Sequence, residues 1–365
     1  MKNILVFFGG NSIEHEISII TGVLTLNSID KSYNVIPIYV DKSGTFYTGK
    51  CLFDLDEYKS LDYKKLDKVT LISGSNLLYR IKGKRLKEIC SIVCAINCMH
   101  GERGEDGSIS ALLSMCNIAN ASPEMAASSI CMEKGLTKIA LVGLGVPFLP
   151  YVSVKDSASS VLAENLGYPL VVKPNTGGSS IGISKVNCKR DLEFATAKAL
   201  LYSKTAIIEP ALEDFIEINC ACFLDAEGNV ITSECERPIG KDEVLTFSDK
   251  YQNGKREFPA KIESDLAERI KKTTSRIYRE LGFKGVIRID FFIKDDKIYV
   301  NEINTVPGSL AYYLFCKSTK EFTTMLNEMI EYAITSFNKY SLIKKEYVSG
   351  IITSLTPKGS KNIEK

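Results

Sequence analysis

Four side chains in two short stretches have the types and spacing of a cation-handling site: Arg288 and Asp290 in "VIRIDFFI", and Glu302 and Asn304 in "VNEINTVPG". Each stretch alternates apolar and polar residues, so each reads as a strand with its polar pair on one face. The turn at Asp295, Asp296 and Lys297 joins them into a hairpin. Whether the two faces coincide depends on register. With Asp290 opposite Glu302 they do, whereas a two-residue turn pairs Asp290 with Asn301 and sends Glu302 to the other side. A shared site therefore predicts an odd-numbered loop, most simply of about three residues. Two carboxylates and an amide oxygen beside an arginine are hard-oxygen ligands suited to Mg²⁺ bridging phosphate oxygens. The same residues would serve equally as a solvated sheet face. Pro307-Gly308, directly after the second strand, either lets a backbone N–H approach a ligand or simply makes a turn.

A second set lies in "KPNTGGSSIG", where Lys173 closes a strand and Gly177, Gly178, Ser179, Ser180 and Gly182 follow. Small residues let backbone N–H groups and hydroxyls close over phosphates while a lysine supplies charge. A plain hairpin turn has the same composition. No GxxxxGKS/T run occurs, and "GGNSIE" after the first strand is not GxGxxG. Neither a Walker loop nor a dinucleotide fingerprint is present, which removes most of the support for an NAD-dependent oxidoreductase. Glu209 ends the strand "AIIE" and Glu217 opens the next, as edge charges or as contacts to adenine and ribose groups. Lys134 and Lys138 share one helix face, the spacing of exposed, solubilising lysines.

At the N-terminus "FFGGNSIEHEIS" runs from a strand through a glycine turn into a helix, with Glu14 near the first turn. The helix dipole favours an acid there, and an acid there can also face a ligand amine. "MHGERGEDGS" repeats this strand-end geometry with His100, Glu105 and Asp106. Ligands of parallel sheets bind outside the C-terminal strand ends, so both loops are expected to face one crevice. The polar run "LTFSDKYQNGK" carries Lys250 and Tyr251 and reads as a lid or merely a mobile loop.

Positioning these residues takes more than one core, which a 365-residue chain with 45% hydrophobic residues can bury. In the first third, strand runs (3–8, 34–40, 91–99) alternate with helical patterns (16–26, 108–116), the order of a parallel sheet covered by helices. A helical stretch from Ala126 to Val142 meets stop signals at Gly143, Gly145 and Pro147. Strand, glycine loop and strand follow over 168–185, then a helix over 191–202, three strand runs, a helix from Ser264 to Leu281, and the hairpin. The fold class is α/β, in three domains: 1–120, 121–205 and 206–345, with a frayed tail over 346–365.

With 46 Lys+Arg against 44 Asp+Glu and no basic block, nucleic acid is not an expected partner. No apolar run is long enough for a signal peptide or a membrane span, so a soluble chain is expected. Eleven cysteines without a CxxC pair, and only His15 and His100, leave no zinc pattern. Most of the cysteines sit in apolar runs, as reduced core residues of a cytoplasmic protein do.

In order along the chain, "GGNSIEHEIS", "HGERGEDGS", "EKGLTK", "VVKPNTGGSSIGISKV", "DKY", "RIDFF" and "NEINTVPG" resemble the D-alanine–D-alanine ligases of the ATP-grasp superfamily, from residue 3 to about 335. The resemblance implies a three-domain ATP-grasp architecture with a Rossmann-like N-terminal parallel sheet, ATP being gripped between the last two domains. It implies phosphorylation of one D-alanine by ATP, then attack of a second D-alanine's amine on the acyl phosphate, for peptidoglycan synthesis in the cytoplasm. Lys134, Lys173 and Lys250 would then hold the ATP phosphates under the loop of Gly177, Gly178 and Ser180, and Glu209 and Glu217 would contact adenine and ribose. Asp290, Glu302 and Asn304 would hold two Mg²⁺ ions, with Mn²⁺ as a substitute.

By the same resemblance Glu14, linked through Ser179 to Tyr251, orients the first amino acid, while Arg288 and the Gly308 N–H stabilise the tetrahedral intermediate. His100, Ser309, Tyr313 and Leu314 would contact the amino acids, and a homodimer follows from family analogy alone. The chain departs from the family pattern at Tyr313, which stands where a serine binds the acceptor carboxylate, at Glu133 in place of Asp, and at Pro210 in place of Lys. Tyr251 resembles the dipeptide-forming members, which ranks D-alanine above D-lactate as acceptor. D-serine or another small D-amino acid is the alternative within the class, and a nucleotide-binding protein that has lost ligation is the alternative from another class.

Overall fold

Strand β1 (Asn3–Gly9) has Ile4 to Phe8 fully buried, as a strand covered on both faces requires. The structure, a computed structural model, describes residues 1–239, 255–344, 347 and 349. Lys250 and Tyr251 lie outside the described residues. Beside β1 run β2 (Asn34–Val40) and, on its other edge, β7 (Cys94–Asn97), both parallel to it, and β8 (Ala119–Asn120) extends that side. At Gly9, with φ +92°, the chain leaves β1 where a Cβ would collide with the Val40 carbonyl. Helix α1 (His15–Ser28) then packs back over the strand.

The other half of this sheet is an antiparallel meander: β3 (Phe46–Thr48), β4 (Asp67–Ile72), β5 (Ser75–Lys82) and β6 (Arg85–Ser91). The eight-stranded order is β6-β5-β4-β3-β2-β1-β7-β8, so the sheet is mixed, not parallel throughout. The physical reason is that β4 to β6 are joined by tight turns, and parallel neighbours need a crossover of a dozen residues or so.

Helix α2 (Ser108–Met115) precedes β8. The expected single helix after it is two, α3 (Met125–Met132) and α4 (Lys134–Leu144), because Glu133 is extended with φ −97° and ψ 109°. Asn175 fills the gap, its carbonyl accepting Lys134 N–H at 2.9 Å and its Oδ1 accepting Gly135 N–H at 2.8 Å.

A second, antiparallel sheet runs β11 (Ser184–Val186), β10 (Leu170–Pro174), β12 (Ala206–Pro210), β9 (Val152–Val154), backed by α5 (Lys189–Ala199) through Leu192 and Ala195. The third runs β14 (Val230–Thr232), β13 (Ile216–Leu224), β17 (Ile287–Lys294), β18 (Lys297–Asn304). It is backed by α6 (Ser264–Glu280), whose Ile270, Ile277 and Tyr278 are buried. A small ribbon pairs β15 (Arg237–Ile239) with β16 (Lys255–Glu257).

The last helix among the described residues, α7 (Thr319–Ser341), returns to the first sheet, where Phe322, Met325, Leu326 and Ile330 share a core with Ile4, Val6 and Leu26. Among the described residues no helix is long and apolar enough to cross a membrane.

Candidate active site

The β17–β18 turn has two residues, Asp295 and Asp296, at φ 49° and 60° between the paired Lys294 and Lys297. That corrects the expected odd-numbered loop. Asp290 still faces Glu302, because a bulge pairs Phe291 with Val300 and leaves Asn301 as the extra residue. The bulge supplies the one-residue shift that the loop does not. Arg288 grips Asp290 with two bonds, Nε to Oδ1 at 2.7 Å and Nη2 to Oδ2 at 2.8 Å, and Asn304 Nδ2 donates to Oδ2 at 3.1 Å. With Asp290 only 2% exposed, this is not a solvated sheet face.

Lys134 and Lys138, expected on the surface, are buried, because their face of α4 turns inward, with Lys138 against Glu209 of the second sheet and Leu141 in the core of the third. Lys138 Nζ lies 2.5 Å from Glu209 Oε1, and Lys173 Nζ lies 2.5 Å from Glu209 Oε2. Burial opposes the charge on Glu209, but the two lysines outweigh it and hold the carboxyl below its usual range. Glu209 is therefore no edge charge. Lys173 also donates to Asn301 Oδ1 at 3.2 Å, and Lys134 to the Gly177 carbonyl at 2.7 Å, with Glu302 Oε2 3.9 Å away.

The glycine loop meets the N-terminal acid. Ser179 Oγ donates to Glu14 Oε1, and both side chains are buried. A Cβ on Gly178 would stand 3.2 Å from that carboxylate, so a larger residue would crowd it. Ser179 and Ser180 hold φ 54° and 59°, a left-handed conformation that non-glycine residues adopt at a cost.

Across the same space, burial first and the Arg288 charge second push His100 down to about 4, so its ring is neutral. Thr21 Oγ1 accepts the Ser309 N–H at 3.0 Å and shares a hydrogen bond of 3.0 Å with His100 Nε2. This chain of bonds braces Ser309, Leu310 and Ala311, which all have φ near 50°. Glu105 accepts the N–H groups of Gly101 at 2.9 Å and Val306 at 3.2 Å, tying the first sheet's loop to the segment after β18. Burial and then the neighbouring Glu14 charge nevertheless raise its carboxyl to about 8.

Two adjoining cavities collect these groups. A slot of about 110 Å³ has Val171, Ile183, Leu212 and Phe292 as apolar walls and Lys173, Glu209 and Glu217 among its polar groups, the surroundings a planar heterocycle needs. A wider cavity of about 440 Å³ is lined by Glu14, His100, Glu105, Arg288, Asp290, Glu302, Asn304, Gly308, Ser309 and Tyr313. Lys134, Gly177, Gly178, Ser179 and Glu302 belong to both. Ser180 lines the slot alone. Leu314 is not on either wall; its side chain is buried in the core that α7 shares with β1.

Sequence reasoning missed Lys138, Asn219, Glu236, Asn301 and Arg256 as site residues. The isolated Asn219 in the apolar "IEINCACFL" was the one local signal. Among the described residues no group of three or more His, Cys, Asp or Glu could hold a metal. The set of Asp290, Glu302 and the Asn304 amide still fits a hard divalent cation. Its donors are all oxygens, and Asn304 spends its N–H on Asp290, which keeps its oxygen as an acceptor.

Models of the family's two halves match the chain: "D-ala D-ala ligase N-terminus" over residues 3–122 and "D-ala D-ala ligase C-terminus" over residues 141–335. A D-alanine--D-alanine ligase of Thermosipho melanesiensis is 36% identical over 358 residues, 94% of this chain and 96% of that one. One of Campylobacter jejuni is 36% identical over 332 residues, 89% and 92% of the two chains. Among solved structures, the D-Alanine-D-Alanine Ligase from Helicobacter pylori matches with a TM-score of 0.76 at 30% identity, covering 91% of this chain and 98% of that one. The VanG D-Ala:D-Ser Ligase from Enterococcus faecalis matches at 0.78 and 25% identity, covering 91% and 99%.

Proposed function

The chain belongs to the D-alanine–D-alanine ligase family, and from that premise we propose that it joins two D-alanines at the expense of ATP, through a D-alanyl phosphate, for peptidoglycan synthesis. The observation that carries the reading is the shared wall of the two cavities, where Lys134, Ser179 and Glu302 adjoin both the half-apolar slot and the charged chamber. A nucleotide in the slot would present its terminal phosphate to a carboxylate in the chamber. Lys134 and Lys173 then supply positive charge to the phosphates, while the Gly177–Ser180 backbone closes over them. Asp290, Glu302 and Asn304 would hold Mg²⁺, or Mn²⁺ in its place, which neutralises charge on the transferring phosphoryl group.

One oxygen of the first D-alanine's carboxylate attacks the γ-phosphorus and ADP leaves. The second D-alanine's amine attacks the acyl carbon, and inorganic phosphate leaves with the carboxylate oxygen it gained. Glu14, buried and braced by Ser179, attracts the first ammonium. Burial works against the Arg288 charge, but Asp290 more than offsets it. A guanidinium so fixed, with the Gly308 N–H, stabilises the oxyanion of the tetrahedral intermediate. Lys250 and Tyr251, which the resemblance assigns to the γ-phosphate and to the Glu14–Ser179 pair, lie outside the described residues. The thiols are free, which suits a reducing cytoplasm, and a homodimer is the family's precedent.

Tyr313 and the likeness to a D-Ala:D-Ser ligase favour a second reading, in which D-serine or another small D-amino acid is the acceptor. The test is phosphate release from ATP and Mg²⁺ with D-alanine alone, then with D-serine or D-lactate added, the products being weighed by mass spectrometry. The mass of D-Ala-D-Ala from D-alanine alone is expected. A mixed product would move the reading to the other acceptor, and ATP binding without phosphate release under every condition would sink ligation.

A further inference from the structure

One wall of the wide chamber carries a stack that none of the assigned roles uses. The guanidinium carbon of Arg256 lies 4.7 Å from the centre of the Tyr313 ring and 5.4 Å from that of Phe258. Its Nη1 donates to Glu236 Oε1 at 3.2 Å, and Glu236, 4% exposed, also accepts Asn219 Nδ2 at 3.2 Å. The Tyr313 hydroxyl accepts Arg288 Nη1 at 3.4 Å. Arg256, Glu236 and Tyr313 all line the chamber.

Ligation requires the chamber to hold two amino acids, and the second must keep its carboxylate away from the reacting carbon. Arg288 is poorly placed for that carboxylate, since it spends two N–H groups on Asp290 and directs Nη1 to Tyr313. Glu14, which also lines the chamber, would repel it. A guanidinium seated over an aromatic ring keeps its charge and can turn its remaining N–H groups to a carboxylate. Buried Glu236 anchors it through Nη1. Tyr313, by accepting from Arg288, keeps its own proton for the ligand.

We propose that Arg256, stacked on Tyr313 and anchored by Glu236, binds the carboxylate of the second amino acid, with the Tyr313 hydroxyl as its second donor. The inference rests on the ligase reading and names the specificity determinant of its acceptor side. It gives this chain a carboxylate clamp at the position where the family resemblance expects a serine.

The test is a competition between D-alanine and D-alaninamide as acceptors. The amide lacks the carboxylate and cannot serve as the first substrate, so the ratio of dipeptide to dipeptide amide reads the clamp. Arg256→Ala should reduce the preference for the acid by about ten-fold to a hundred-fold, the range for a charge-assisted hydrogen bond. The loss should appear as a raised KM for the second amino acid with little change in kcat or in KM for ATP. Arg256→Lys should restore part of it, Tyr313→Phe should lose a smaller part, and Lys255→Ala, removing the adjacent chamber-lining charge, should leave it intact. Unchanged preference in Arg256→Ala, or its loss in Lys255→Ala instead, overturns the clamp while ligation stands. A wild-type protein that forms no dipeptide overturns the ligase reading, and the clamp with it.

Discussion

Glu105 keeps its proton into the neutral range because burial and the nearby Glu14 charge oppose its ionisation, which moves it from 4.5 to about 8. A carboxyl raised on folding contributes stability that is fully present below about pH 4.5 and lost as pH climbs through 8. His100 has the opposite sign. Lowered from 6.5 to about 4, its contribution is present above pH 6.5 and lost as pH falls toward 4. The two overlap in mildly acid solution, so a variant must separate them. Glu105→Gln cannot ionise, and its melting temperature should fall less than the wild type's between pH 6.5 and 8; parallel curves would contradict the assignment. Glu302→Gln should lower turnover by about a hundred-fold or more while the protein stays folded, since it removes one of the two carboxylates offered to the cation. Near-normal turnover would refute the metal role. Alternation put Arg288 with Asp290 and Glu302 with Asn304, because period two is a local property of the chain, and the family resemblance rather than the spacing chose the cation site over a solvated face. Lys138, Glu236 and Arg256 were illegible, because their meaning comes from partners 71, 20 and 57 positions away or from burial that no local spacing reveals.

Between elements, two irregularities set the site, and neither has a compositional signature. The bulge at Asn301 brings Glu302 opposite Asp290 despite a two-residue turn, and the break at Glu133 starts α4 at Lys134, against Asn175. Nothing in "IYVNEIN" or "ICMEKGL" contains a glycine or proline at the irregular residue itself, so the usual punctuation was missing. What holds α4 to the second sheet is Glu209, 2% exposed between Lys138 of the helix and Lys173 of β10. Removing one member of a buried ion cluster leaves charges without compensation. Glu209→Gln should therefore cost about 3–5 kcal/mol in urea unfolding, and a loss under about 1 kcal/mol would show that the cluster contributes no more than a surface pair.

At the scale of the molecule, the alternation of strand and helix in the first third was legible as an α/β fold, because βαβ units announce themselves through two periods. The meander of 46–91 was not, since its strands are short or largely exposed and show no continuous apolar run; Arg85–Ser91 is almost wholly exposed. The return of α7 to the first sheet was equally hidden, because an amphipathic helix does not say which sheet it will cover. Its apolar face packs on β7, β8 and α1, so the last helix described joins the core of the first sheet. The N-terminal loops, the glycine loop and the β17–β18 hairpin thereby converge on one chamber. The most direct test of the account is a single turnover with D-alanine carrying ¹⁸O in its carboxylate, together with ATP and Mg²⁺, the released phosphate being analysed by mass. One ¹⁸O transferred to phosphate for each dipeptide formed is the predicted result. Dipeptide accompanied by unlabelled phosphate would contradict the acyl-phosphate route on which the reading depends.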